Sequence, residues 1–481
     1  MVKETAWKWI DANQDLIVSI SDEIWKYAEY GLCEEKSSKL LAETLKDFGF
    51  KVKLGVAKMP TAIYSEKGNG QPVIVTMGEY DALPGISNKA IPKKEPLIEG
   101  GMGHGCGHNI HGTTALAAAI SVSQALEMNG VEGTIRFYGT PAEETAGGKG
   151  FMVNAGLFDD VDAALSHHPG YLNVASLQSN NITSGARFHF YGKSSHAAGN
   201  PEAGRSALDA IELMNIGVNY LREHILDDAR IHYVIEEGGM QPNVVPDYAR
   251  SWYYIRAPER ELLEPIKRRV LKIAEGAALM TETKLKAEMS EGGYNKIPNK
   301  VLSEIVTSNM RQIGPPMYSK KELDFASKIA ETFPKSDRTD WLRKRGVPAW
   351  EKYIDVDLIN DIFEPWDDGT HSAGSSDVAH VSWVTPTMEF GTACNVNGAP
   401  GHSWQFVACS GSEIGHKSLI FASKTMAGSV IDLIANKELL KNAHTELHKR
   451  LRGREYKKNT SREPPLEKAR ELAKAFKGKN S

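Results

Sequence analysis

The feature that most constrains this chain is a strand-like run at 72–80, PVIVTMGEY, which is apolar almost throughout. A strand without a polar face needs cover on both sides, as in the sheet of an α/β protein. The run leads into a Gly/His-rich loop at 100–112 and then an alanine-rich segment, TTALAAAISVSQALEMNG, that predicts a helix. GTIRFYGT at 133–140 and VDAALSHH at 161–168 predict the next strands. This strand–helix–strand alternation implies an α/β sheet whose loops at the strand C-terminal ends build the site. Upstream, Trp7, Ile10, Ile17, Ile20, Ile24 and Tyr27 recur at helical spacing over 4–30. EKSSKLLAETLKDF at 35–48 predicts a second helix, closed by Gly49, and TAIYSE at 61–66 a strand.

The pattern changes near residue 185. ARFHFYGKSSHAA alternates like a half-exposed strand, and SALDAIELMNIGVNYLREHI reads as a helix. Further strands, a helix at 259–279 and TKLKAEMSEGG follow, which suits a small inserted α+β domain of two helices and about four strands. PNKVLSEIVTSNMRQIG, from 298, is helical again and returns to the first domain. The expected organisation is therefore 1–184 and 294–440 as one domain, 185–293 as the insert, and 441–481 as a basic tail. Residues 315–370 are polar, Trp-containing and irregular, and their pattern assigns no element.

Composition narrows the function classes. With 41% hydrophobic and 25% charged residues over 481 positions, collagen-like, mucin-like and mostly disordered chains are excluded. No run approaches the ~18 consecutive apolar residues of a membrane span. The N-terminal segment carries acids within its apolar pattern and lacks a signal-peptide core, so the expected location is cytoplasmic. Four cysteines, Cys33, Cys106, Cys394 and Cys409, are too few for a disulfide scaffold and fit a reducing compartment. A net charge of −4 argues against nucleic acid as the main partner. The tail at 441–481 holds 13 Lys/Arg against 5 Asp/Glu, which reads as a solvated terminal helix after Pro464–Pro465.

Four short motifs carry chemistry. GHGCGHNIHG at 103–112 places His104, Cys106, His108 and His111 among glycines. Cys106 and His108 are two apart in a loop, so both side chains reach one centre, and thiolate and imidazole suit a borderline transition metal. The plain alternative is a Gly-rich turn with incidental histidines. Glu143–Glu144 follows a strand, where one carboxylate can bind a cation while the other handles a proton. Alone, such a pair is usually a surface feature. His167–His168 ends an apolar strand, and either one qualifies as a ligand or as a satisfied core histidine. His402 sits in GHSWQ and says little by itself. Ligand types delivered from several strand ends are how a preorganised metal site is built.

With these motifs in family order, the chain resembles the co-catalytic metallopeptidase and amidohydrolase family of aminoacylases, glutamate-type carboxypeptidases and auxin-conjugate hydrolases. Within it, the chain is most similar to the amidohydrolase branch acting on p-aminobenzoyl-glutamate and indole-acetyl-aspartate. The resemblance rests on GEYDALPG (78–85), GHGCGHN (103–109), PAEETAGGKG (141–150), SHHPG (166–170), GKSSHAAGNPEAGRSALDA (192–210), NVVPD (243–247), GSSDVAHVSWVTPT (374–387) and APGHSWQ (399–405). It covers nearly the whole chain.

The resemblance implies a catalytic α/β domain, with a mixed sheet flanked by helices, plus an inserted α+β lid that makes the dimer. It implies two divalent ions per chain, Mn²⁺ or Zn²⁺, held by Cys106, His108, Glu144, His168 and His402. Glu143 matches the general base and Asp81 the carboxylate that orients a histidine ligand. His196 matches a lid histidine, Asn243 a substrate-binding asparagine, and Arg256 lies in a similar lid strand, where its fork suits a carboxylate. Glu79 stands where the wider family has a ligand histidine and reads as a supporting residue. His104, His111, His371 and His380 read as structural, and Cys33, Cys394 and Cys409 as core. The implied reaction is hydrolysis of an N-acyl amino acid, with an aromatic acyl group favoured. A dipeptidase acting on basic or β-alanyl dipeptides is the second enzyme reading. A catalytically silent partner subunit is the reading from another class, and its signature, loss of a ligand or of the base, is not met. The implied partners are the small-molecule substrate and a second subunit, as a homodimer or a paired assembly, with no nucleic acid and no membrane.

Overall fold

The structure, a computed structural model, describes residues 1–290, 292–372 and 374–476. The end of the basic tail, 477–481, lies outside the described residues. The chain forms two compact units, one of residues 1–178, 297–369 and 376–481, the other of 179–296 and 370–375.

The first unit opens with helices α1 (Val2–Ala12), α2 (Gln14–Tyr27) and α3 (Glu35–Asp47). The periodic stretch at 4–30 is thus two helices, broken at Asn13, whose side chain turns back onto the Trp9 carbonyl at 2.7 Å. Strands β1 (Lys51–Leu54), β2 (Ile63–Asn69) and β3 (Val73–Gly78) come next, then α4 (His108–Asn129), β4 (Gly133–Gly139), α5 (Gly148–Asn154), β5 (Ala163–Gly170) and β6 (Asn173–Val174). In the second unit lie β7 (Ser179–Asn180), β8 (Ile182–Tyr191), α6 (Ala207–Leu221), β9 (Arg230–Glu237), β10 (Tyr248–Ala257), α7 (Arg260–Thr281) and β11 (Lys284–Met289). The first unit resumes with α8 (Lys300–Ile313), α9 (Lys320–Ala330), α10 (Lys335–Arg345) and β12 (Ile362–Phe363). A short β13 (His371–Ser372) pairs with β7 in the second unit. The chain then finishes through α11 (Val378–Ser382), β14 (Thr387–Ala393), α12 (Trp404–Ser410), α13 (Glu413–Ala435), α14 (Lys437–Leu451) and α15 (Leu466–Phe476).

The first unit is built on an eight-stranded mixed sheet, ordered β1-β2-β4-β3-β5-β14-β6-β12. Strands β4, β3, β5 and β14 run parallel, while β1 and β2 are antiparallel additions at one edge. Every residue of β3 and of β4 is buried, the polar Thr76, Thr134 and Arg136 included. Helices α1, α4, α8 and α13 pack together over the sheet and share one large core. Helix α13 is long and apolar enough to cross a membrane by composition, but 78% of its apolar window is buried in this core. The 315–370 region, left unassigned by pattern, folds as α9, α10 and a 3₁₀ turn at Trp350–Tyr353. Its polarity is structural. Buried Arg338 satisfies two backbone carbonyls, of Asn397 and Ile354 (3.0 Å each), and pairs with Asp357 at 2.7 Å.

The second unit is a four-stranded antiparallel sheet, ordered β11-β8-β10-β9, with α6 and α7 closing a separate apolar core. Strict alternation along β10 buries Ala249, Ser251, Tyr253, Ile255 and Ala257 and turns the intervening residues outward.

Candidate metal centre

Parallel β3, β4 and β5 deliver their C-terminal ends to one place. Glu79 and Asp81 follow β3, Glu143 and Glu144 follow β4, and His168 is near the end of β5. Helix α4 begins at His108, on the same side. Its first turn carries His108 and His111 three residues apart, hence on one face. Two glycines make the approach possible. Gly107 has a left-handed φ of +72°, and a Cβ there would lie 2.8 Å from the Pro169 ring. A Cβ on Gly112 would lie 2.5 Å from the Glu79 carbonyl oxygen. The helix therefore rests directly on the end of β3.

The resulting cluster is mostly buried. His108 Nδ1 lies 2.8 Å from Asp81 Oδ1, and Asp81 Oδ2 accepts the Glu144 N–H at 3.0 Å. With Nδ1 committed to a carboxylate, His108 turns Nε2 into the cluster, the usual way a ligating imidazole is oriented. Cys106 Sγ is 3.3 Å from His168 Nε2, and His402 Nε2 is 3.2 Å from Glu144 Oε1. The donor atoms of Cys106, His108 and His168 lie within 4.8 Å of one another, and so do those of Cys106, Glu144 and His402. Two donor groups thus share one sulfur.

Neighbouring residues on a strand face opposite ways, which separates the two histidines of β5. His168 joins Cys106, while His167 bonds the Thr392 hydroxyl at 2.7 Å inside the core. His111 accepts the Glu79 N–H on Nδ1 at 3.0 Å, so its other nitrogen carries the proton toward Ser166 and Glu79. His104 bonds the Ile24 carbonyl and His380 the Tyr456 hydroxyl.

The charges follow from burial. Burial raises the Glu143 carboxyl well above the ordinary range, helped by the negative charges of Glu79 and Asp377. Burial alone would raise Glu144 too, but the hydrogen bond to His402 and the charge of His108 bring it below that range. Adjacent carboxylates are therefore driven apart, one toward a proton carrier and one toward a permanent anion. Burial also pushes up the Cys106 thiol; a cation at the sulfur would reverse that.

These residues fit a metal. Glu79 Oε2 and His108 Nε2 are buried, 3.0 Å apart, and among the described residues neither has a hydrogen-bond partner of good geometry. Buried polar atoms without partners are rare, and a cation satisfies both at once.

Pattern reading missed three residues here. Lys149 and Asp377 sit inside the family motifs, where a lone lysine and aspartate give no spacing signal. Fully buried Glu34 lies far upstream and accepts the Thr61 hydroxyl at 2.7 Å and the Ala142 N–H at 2.8 Å. Ala142 takes a left-handed φ of +60°, so Glu34 pins the strained turn that aims Glu143. His196, Asn243 and Arg256 belong to the second unit. There the His196 and Val244 backbones form a bridge and Ala197 N–H donates to the Asn243 carbonyl at 3.0 Å, which gathers His196 and Asn243 in one exposed loop cluster. Arg256 is half-buried on β10.

Against known proteins, the model of peptidase family M20/M25/M40 matches residues 75–479. The chain belongs to this family. As a member of the M20/M25/M40 peptidases it is a hydrolase of amide bonds. It is 40% identical to a subunit of the p-aminobenzoyl-glutamate hydrolase of Escherichia coli, over 91% of this chain and 93% of that protein. It is 29% identical to the Xaa-Arg dipeptidase of Mus musculus, over 76% of this chain and 72% of that one. Its fold is that of a dinuclear metal-binding peptidase of the M20 family from Bacillus subtilis, with a TM-score of 0.59, 15% identity, and coverage of 88% and 99% of the two chains.

Proposed function

We propose that this family member is a two-metal amidohydrolase that cleaves the amide between an aromatic acyl group and an amino acid, with p-aminobenzoyl-glutamate as the model substrate. The observation that carries the reading is the pair of donor groups sharing Cys106, with Glu143 beside them. The 40% identity to an E. coli protein named for p-aminobenzoyl-glutamate hydrolysis supports the substrate class. In this reading Cys106, His108, Glu144, His168 and His402 hold two divalent ions, Zn²⁺ or Mn²⁺, and Asp81 orients His108. When bound, the ions supply Lewis acidity to the scissile carbonyl and to the attacking water. Glu143 accepts the proton of that water and returns it to the leaving amine. Its raised affinity for protons suits the second half of that task. The family resemblance assigns His196 and Asn243 to stabilising the developing oxyanion and Arg256 to receiving the free carboxylate of the amino acid.

The same reading treats residues 185–293 as a lid and dimerisation domain. The working form is then a dimer or a paired assembly of unlike chains; the E. coli relative, named as one subunit of its hydrolase, supports the second. Four free cysteines support a cytoplasmic location.

The test is metal analysis of purified protein together with amino-acid release from p-aminobenzoyl-glutamate and from an Xaa-Arg dipeptide. Near two metals per chain, with chelator-sensitive release from the first substrate, is the expected result. Release from the dipeptide alone would move the reading to a dipeptidase. Absence of metal under every loading condition would overturn it.

A further inference from the structure

The reaction above makes no use of Lys149, which has no exposed surface. Its Nζ lies 2.5 Å from Glu79 Oε1 and 2.6 Å from Asp377 Oδ1, and its backbone N–H donates to Asp377 Oδ2 at 2.8 Å. An ammonium buried this deeply is tolerated only when paired, and here two carboxylates pair it. Asp377 grips both ends of the lysine, side chain and main chain, so Lys149 Nζ is a fixed point.

That fixed point determines how Glu79 is presented. The Glu79 backbone N–H is held by His111 Nδ1 at 3.0 Å, and Oε1 is held by Lys149. With both ends of the residue committed, the remaining oxygen has one direction left. Oε2 is buried, lies 3.0 Å from His108 Nε2 and, among the described residues, has no hydrogen-bond partner of good geometry. The donor atoms of Glu79, His108 and Glu143 fall within 4.8 Å of one another, a third group of donors beside the two that share Cys106.

We propose that Glu79 is a further oxygen donor to the ion held by His108, and that Lys149, clamped by Asp377, is the positioning residue that presents it. This rests on the two-ion reading above. Because Lys149 occupies Oε1, Glu79 binds through Oε2 alone. Loss of the lysine frees Oε1 and changes both the geometry and the charge at that ion. Outer partners of this kind alter metal affinity by about 10–100-fold when removed.

The test uses full-length protein stripped of metal and titrated with Co²⁺ alone, read by calorimetry and by visible absorption, with apo-protein melting followed in parallel. The variants are Glu79→Gln, Lys149→Met and the double variant Lys149→Met/Asp377→Asn. Glu79→Gln keeps a hydrogen bond to the lysine, and the double variant avoids stranding Asp377 if the single one fails to fold. One of the two binding steps is expected to weaken about 10–100-fold in Glu79→Gln and in the folded lysine variant, with a shifted Co²⁺ spectrum. Wild-type affinity and spectrum in Glu79→Gln would overturn Glu79 as a donor. Wild-type behaviour in the lysine variants, with Glu79→Gln impaired, would overturn the role of Lys149. Failure of the wild-type chain to bind two ions would instead overturn the two-ion reading beneath it.

Discussion

Asp81 Oδ1 stands 2.8 Å from His108 Nδ1, and this contact joins the end of β3 to the first residue of α4. The other oxygen of the same carboxylate takes the Glu144 N–H, so one buried side chain orients groups delivered by two other segments of the chain.

Asp81→Asn tests that bridge. The amide is nearly isosteric, but it removes the charge that holds His108 in one tautomer. Metal affinity should fall about 10–100-fold, with activity lost in proportion at limiting metal and partly restored at saturation. Competition titration against a chromogenic chelator measures it; an affinity equal to wild type would show that Asp81 does not orient the ligand.

Cys106→Ser tests the shared donor. A hydroxyl is a poor substitute for thiolate toward a borderline metal. The Co²⁺-loaded wild-type protein should show a near-ultraviolet thiolate charge-transfer band that is missing in the variant. Bound metal should drop below two per chain. An identical band in both proteins would remove Cys106 from the ligand set.

Part of the sheet was legible because β3, buried on both faces, reads as a nearly continuous apolar run. The donor types were legible because cysteine, paired glutamates and paired histidines are conspicuous at strand ends. The choice between His167 and His168 depends on strand phase, a property of the folded sheet that composition leaves open. Glu34, Lys149 and Asp377 were not visible as site residues, since each acts through burial and a partner distant in sequence: Glu34 meets Ala142, and Lys149 meets Asp377. Within the irregular 315–370 region α10 stayed hidden because it owes its place to buried Arg338 and its carbonyl partners rather than to an apolar stripe.

Glu34→Gln carries a pH signature. Burial, with the nearby charge of Asp81, pushes the Glu34 carboxyl from 4.5 up to about 8. Between those values the folded protein keeps a proton that the unfolded chain releases. The unfolded state then binds fewer protons, so this group makes stability fall as pH rises through the window, by at most about 1.4 kcal/mol per pH unit. Glutamine does not titrate. The variant should match the wild type near pH 5 and become progressively the more stable of the two toward pH 8, with the difference constant above that. Melting temperatures across pH 5–9 measure it, and parallel curves for the two proteins would refute it.

Glu143→Gln separates proton transfer from metal binding. The residue lies beside the donor cluster, and its carboxyl is held toward the protonated form by burial and by the charges of Glu79 and Asp377. Glutamine keeps the volume and one acceptor but cannot accept the proton of water. A positioned acid–base group contributes about 10²–10⁴-fold, so kcat should fall by at least that much while KM changes little. Metal content should stay at two, because none of the proposed ligands is touched. A variant that lost metal along with activity would make Glu143 a ligand rather than the base. A variant that kept wild-type kcat would hand the proton transfer to another group.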